Sequence, residues 1–223
     1  MIDALEVSVT ADVVSFRNPL YAGIQVGLPC PPPATIAGML AAAVGGWDNV
    51  PIELRFGTAF HAQGAGVDLE TYRPLDRRGK ATDPTPKDRD FLARAELTVW
   101  LIDDLDFWER ALRCPVWPLR LGRSQDLAAA RPKHIELAEA AGRQGHAITP
   151  EQLTRAGTLL RLPTAISVDR ARTRWDGYRY AATGSEEVLD TGLSTPSIDG
   201  ERGQAVALLT GLHVAQFVAE GLR

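Results

Sequence analysis

Apolar and polar positions alternate strictly at the start of the chain. Leu5, Val7, Val9, Ala11 and Val13 occupy one phase, and Glu6, Ser8, Thr10 and Asp12 the other. That period of two belongs to a strand with one buried face. The phase breaks at Val13-Val14, and Ser15 to Pro19 closes the extended run. Pro29 and Pro31 to Pro33 follow, and each proline fixes φ and lacks an N–H, so they aim the chain rigidly into whatever comes next. The spacing of Ile36, Met39, Leu40 and Ala43 predicts a helix there, with Thr35 as its N-cap and Gly45-Gly46 as a left-handed stop. Gly38 and Ala41 to Ala43 keep this helix thin, which suits close packing on a sheet. On this reading Thr35 and Gly38 serve capping and packing.

Ile52 to His61 and Val67 to Tyr72 read as two strands joined at Gln63-Gly64-Ala65-Gly66. From Arg73 to Arg89 apolar content collapses, and the segment reads as a projecting basic arm. Glu96 to Ile102 alternates again, and Asp106-x-x-Glu109 predicts a capping box on a short helix ending near Cys114. The succession β, α, β, β, arm, β, α places residues 1–130 in an α+β, ferredoxin-like or RNA-recognition-type domain with the arm 73–89 inserted.

Residues 131–223 read as a β-rich C-terminal extension on the same core. Leu127 to Ala141 fits either an Ala-rich helix or a loop followed by a strand at His134 to Leu137, since Pro132 breaks any longer helix. A short helix is expected from Thr149 to Ala156 and a hairpin over 158–168 and 175–182. A closing strand is expected over 205–218.

Bulk properties narrow the classes. The 223 residues, 45% of them hydrophobic, suffice for a real core. No apolar run of about 18 residues or export signal appears, so the expectation is a cytoplasmic protein without a membrane. Cys30 and Cys114 form no disulfide framework and read as two buried thiols.

The net charge is −4, but its distribution matters more than its sum. Residues 71–94 hold seven basic and four acidic residues, 110–133 six and one, and 161–180 five and two. Three basic islands on an acidic body can line one groove that follows a phosphate chain.

His61, His134, His146 and His213 are widely spaced, and none forms a pair with metal-ligand spacing. No phosphate-binding glycine loop or nucleophile elbow is present, so no metal, cofactor or catalytic residue is assigned.

Two blocks carry a resemblance. Phe16-Arg17, the proline cluster and Ala34-Thr35-Ile36-Ala37-Gly38-Met39-Leu40 form the first. Asp90-Phe91-Leu92 and then Pro115-Val116-Trp117-Pro118-Leu119-Arg120-Leu121-Gly122-Arg123-Ser124-Gln125-Asp126-Leu127 form the second. In this order they resemble the Cas5 family of CRISPR-associated proteins, within the RAMP superfamily.

The resemblance implies a subunit of a type I Cascade complex that caps the 5′ handle of the guide RNA. It also implies contact with the backbone and large subunits, and with target DNA only through the complex. The residues expected to touch RNA are Arg17, Arg120, Gly122, Arg123, Ser124 and Gln125, together with Arg77, Arg78, Lys80, Lys87 and Arg89 on the arm. Gly122 would let the chain approach a phosphate and Arg123 would grip it with both guanidinium branches.

One branch of that family cuts precursor guide RNA without metal, using Tyr, Lys and His. Tyr21, Lys133 and His134 are the corresponding residues to consider here. Lys133-His134 follows the Leu-Gly-Arg block rather than preceding it, so the non-catalytic role is favoured. A protein-binding scaffold, built on Trp117 and Trp175, is the reading from a different class.

Overall fold

A computed structural model describes residues 1–21, 26–73, 75–76 and 78–215. Arg77, and residues 216–218 of the expected closing strand, lie outside the described residues.

Strand β1 (Ile2–Val14) obeys its alternation: Leu5, Val7, Val9 and Ala11 are buried, while Ser8, Thr10 and Asp12 are exposed. It forms the interior of a four-stranded antiparallel sheet with β2 (Gly57–Tyr72), β3 (Thr85–Leu101) and β4 (Ala129–Leu137), in the order β2-β3-β1-β4. Helix α1 (Pro33–Ala43) connects β1 to β2, and α2 (Leu105–Arg113) connects β3 to β4. Ile36, Met39 and Leu40 of α1, and Trp108 and Leu112 of α2, share one buried cluster with Leu5, Val7, Val9, Leu97 and Val99 of the sheet.

Neither helix starts as the sequence predicts. Proline occupies the first position of α1, where its missing N–H costs nothing. Thr35 is therefore already inside the helix, its N–H donating to the Pro32 carbonyl at 2.9 Å. Asp104, in the left-handed region at φ 51°, precedes α2 without a side-chain cap, so the Asp106–Glu109 capping box does not form. The far end of α1 closes as expected: Gly45 and Gly46 have positive φ, and the Gly46 N–H donates to the Ala41 carbonyl at 2.8 Å.

The expected break at residues 63–66 is absent. β2 runs unbroken from Gly57, paired with Trp100, to Tyr72, paired with Thr85. Gly66 is no turn residue: a Cβ there would lie 2.7 Å from the ring of Phe91, so glycine makes room for an aromatic across the ladder. Much of the predicted arm is thus the end of a long hairpin, with β2 running to Tyr72 and β3 starting at Thr85. Lys87 and Arg89 lie in β3.

Beyond residue 130, β4 completes the first sheet and settles the open alternative at 127–141 in favour of a strand. Thr149–Pro150 is a two-residue strand, β6, rather than a helix start, and it joins β8 (Thr173–Tyr180) and β7 (Thr158–Ile166) in a second sheet. Short β5 (Gly142–Arg143) and β9 (Val188–Leu189) pair apart from these. Residues 205–209 make isolated bridges only, including Phe56 with Leu209. Cys30 is buried, but Cys114 is exposed, contrary to expectation. No helix among the described residues is long and apolar enough to cross a membrane.

The second sheet is tied to the first by backbone and side chain. The Phe60 N–H donates to His146 and the Ile148 N–H to Thr58, at 3.0 and 3.1 Å. The buried Tyr180 hydroxyl donates to the Phe60 carbonyl at 3.0 Å. Burial pushes that phenol well above its ordinary pKa, so it stays a donor. Removing it with Tyr180→Phe should lower stability by about 1 kcal/mol in urea denaturation. An unchanged midpoint would contradict this role.

Candidate nucleic-acid interface

β1 leaves the sheet at Ser15, and three short contacts hold that exit. The Ser15 hydroxyl donates to the Asp90 carbonyl (2.7 Å), its N–H donates to Asp126 Oδ2 (3.1 Å), and the Leu28 N–H donates to the Phe16 carbonyl (2.6 Å). Phe16 packs edge-on against Phe60, with ring centres 5.7 Å apart. Arg17 then emerges exposed.

The loop from Leu119 to Leu127 is folded around Asp126. This carboxylate is almost fully buried, and it accepts the Ser15 and Arg123 backbone N–H groups and the Nε–H and Nη2–H of the Arg123 guanidinium at 3.0 and 2.8 Å. Gly122 has φ +115°, and a Cβ there would come within 2.9 Å of Asp126 Oδ2 and of the Ser15 carbonyl. The glycine is required by the close approach of protein to protein. Arg123 differs from the expectation in the same way, because its fork is spent on Asp126. Asp126 is the residue that sequence reasoning missed, although it is the only acid among the six basic residues of 110–133.

The second block also closes α1. Val116 and Trp117 donate their N–H groups to the carbonyls of Ala43 and Ala42 at 3.0 and 3.2 Å. The last carbonyls of the helix are thereby tied to a segment 73 to 75 residues further along the chain.

Ser15 to Arg17, the first turns of α1, the Gly122-Arg123 corner and the β7–β8 turn converge on one cleft of about 820 Å³. Ala34, Thr35 and Gly38 form the α1 wall, Ser167 and Arg170 belong to the opposite wall, and Trp47 also lines it. A Cβ on Gly38 would meet nothing within 4 Å, so this glycine faces open space rather than packing. The turn carrying Arg170 is built by Ser167, whose hydroxyl donates to Asp169 at 2.6 Å and whose N–H donates to the Arg172 carbonyl. Among the described residues, Arg17, Arg123 and Arg170 line the cleft and no carboxylate does.

The other expected residues lie elsewhere. Ser124, Gln125 and Arg120 are exposed on the same loop but do not line the cleft. Arg120 does not share a strand face with Gly122, because the chain bends after the Arg120–Leu127 bridge. Arg78 and Lys80 are exposed at the hairpin tip, which Asp76 organises by accepting both their N–H groups at 2.8 Å. Lys87 stands opposite Glu70.

Arg89 is buried, paired with Asp68 and, at 3.2 Å, with Glu70. Its charge is neutralised within the hairpin, so Arg89 is held against protein carboxylates rather than presented on an open surface as expected.

Tyr21, Lys133 and His134 do not form one site. Lys133 and His134 oppose Glu6 and Leu5 on β1, so they point to opposite faces of the sheet. His134 Nε2 lies 3.0 Å from Glu109. Tyr21 belongs to the loop beyond Val14, some nine residues along β1 from Leu5, about 30 Å of strand. Two other histidines do meet: the rings of His61 and His146 are 4.7 Å apart, a pairing that their separation in sequence concealed.

The central role of Asp126 has a direct consequence. Asp126→Ala should cost roughly 3 kcal/mol, because it strands a largely buried guanidinium and two N–H groups. Gly38→Ala, within a helix and facing open space, should instead add about 0.5–1 kcal/mol. Chemical denaturation of the two variants reads both signs, and equal effects would contradict this description.

Residues 4–197 match the sequence model of a family described as CRISPR-associated protein (Cas_Cas5). No curated protein matches the sequence. Among solved structures, a chain of a CRISPR RNA-guided surveillance complex is similar with a TM-score of 0.54 and 18% identity, over 83% of this chain and 91% of that one. A chain of the Type III-B Cmr-beta bound to cognate target RNA is similar with a TM-score of 0.52 and 11% identity, over 82% and 86%. At these identities the likeness is one of fold.

Proposed function

The chain belongs to the Cas5 family of CRISPR-associated proteins, and from that premise we propose that it is a non-catalytic, RNA-binding subunit of a type I effector complex. It holds the 5′ handle of the guide RNA, works in the cytoplasm, and bridges the backbone and large subunits. Target DNA is read by the guide through base pairing, not by this chain. The sheet order β2-β3-β1-β4 with two crossover helices supports a ferredoxin-like, RNA-recognition-type domain as its scaffold.

The observation that carries the reading is the cleft. On a protein of net charge −4, it gathers, among the described residues, three arginines and no carboxylate from three distant segments. Arg17 and Arg170 supply exposed guanidiniums for phosphates. Trp47 and the apolar parts of the wall suit unstacked bases. Arg123 acts by holding the corner, with its remaining Nη1 buried and without a partner. Arg78 and Lys80 at the hairpin tip provide a second, more diffuse set of phosphate contacts.

Binding of the host's guide RNA, measured across a salt series, tests the cleft. Arg17→Ala with Arg170→Ala should weaken it about tenfold at moderate salt and reduce the salt slope by roughly two. Gly38→Leu should block the cleft while the chain stays folded. Unchanged affinity in both variants would contradict the assignment.

The endoribonuclease reading is tested separately by incubation with precursor repeat RNA in EDTA. Intact RNA is expected, and discrete cleavage lost on His134→Ala would overturn the non-catalytic role.

A further inference from the structure

Helix α2 and the edge strand β4 bring three metal-ligating side chains together at the surface. Asp106 and Glu109 stand three residues apart on α2 and so share one face of it. Trp108 and Leu112 bury another side of the helix in the core, which fixes how that face is turned. His134 of β4 opposes the buried Leu5 of β1 and projects on the helix side of the sheet. Among the described residues, the ligand atoms of Asp106, Glu109 and His134 all lie within 4.8 Å of one another. The sequence hides this group, because 25 positions separate Glu109 from His134.

The spacing is that of shared coordination. His134 Nε2 and Glu109 Oε2 are 3.0 Å apart. Two donors each about 2.1 Å from one ion, at right angles to each other, are separated by about 3.0 Å. Asp106 is exposed, so rotation about its side-chain bonds brings it within the roughly 4.2 Å that opposite ligands of one ion can span.

The surroundings suit that role. Glu109 turns one oxygen to His134, while its other oxygen, Oε1, accepts the Arg113 Nε–H at 2.9 Å. Ligating carboxylates are commonly fixed in this way by a donor outside the ligand set. Arg110 donates to the backbone carbonyl of Asp106 at 3.2 Å and leaves its carboxylate unengaged. An ordinary ion pair between His134 and Glu109 uses two of the three groups and gives Asp106 no part.

We propose that Asp106, Glu109 and His134 bind a divalent transition-metal ion of the class that accepts both imidazole and carboxylate, such as zinc or nickel. The three side chains supply three ligands, and water fills the remaining positions. The ion clips α2 to β4, the strand at the edge of the first sheet. The site requires no RNA and does not rest on the RNA reading.

The test uses the tag-free full chain, stripped with EDTA and titrated with zinc or nickel chloride. Calorimetry should show one site, and thermal unfolding should shift upward with metal concentration. His134→Ala and Asp106→Asn should each weaken binding at least about tenfold, whereas His61→Gln and His146→Gln should leave it unchanged. All four positions are at least partly exposed, so the variants keep the core intact.

Protection of His134 from diethylpyrocarbonate by zinc, read by mass spectrometry, gives a second measurement on the unaltered chain. No heat and no thermal shift up to about 1 mM metal would overturn the proposal and leave His134 and Glu109 as a plain ion pair. So would binding that survives both His134→Ala and Asp106→Asn, or protection found at His61 or His146 instead.

Discussion

A single buried carboxylate holds the functional end of this molecule together. Asp126 receives the N–H of Ser15 at the exit of β1, the backbone N–H of Arg123, and the Nε–H and Nη2–H of its guanidinium. Burying a charge this deeply costs free energy that only a nearly complete set of donors can offset. Once that set exists, it fixes where β1 ends and where the Gly122 corner turns. The N–H groups of Val116 and Trp117 on the Ala43 and Ala42 carbonyls make the second junction between the two motif blocks. Together these junctions explain why segments far apart in the sequence, Ser15 to Gly38 and Gly122-Arg123, line one cleft.

Charge placement follows a consistent division. In the long hairpin, Arg89 is neutralised by Asp68 and Glu70, and Lys87 stands opposite Glu70. Cations that serve the fold are thus matched by acids nearby. In the cleft, Arg17 and Arg170 are exposed on walls that hold no carboxylate among the described residues. A protein acidic in total can therefore present a locally positive groove, and net charge alone is a poor guide to an anionic partner.

Much of this was legible in the sequence. The alternation in β1 and the helical spacing at 36–43 are strong periodic signals, and both elements stand where they point. The strand pairing at 57–101 was harder, because Gly64 and Gly66 look like turn residues. Glycine in a strand can also signal an aromatic packed across the ladder, as Phe91 is here. The α1 start lies two residues ahead of the Thr35 signal, because proline at the first position needs no capped N–H.

For the site, the pattern of residue types points to Arg17, Gly122 and Arg123, and the structure places all three on one cleft, with Gly122 packed against Asp126 and Ser15 and Arg123 bonded to Asp126. A pattern of residue types does not reveal that Asp126 claims the guanidinium before any phosphate can. The Arg170 wall and the His61–His146 pair depend on contacts between the first sheet and the extension, and no local periodicity encodes those.

The most direct test of the cleft as the seat of the RNA is crosslinking. Guide RNA carrying a photoreactive base in its 5′ handle, bound to the protein and irradiated, can be mapped to residues by mass spectrometry. The account predicts crosslinks in 15–19, at Trp47 and in 166–173. Crosslinks confined to the opposite face of the sheet, around Thr98 and Trp100, would contradict it.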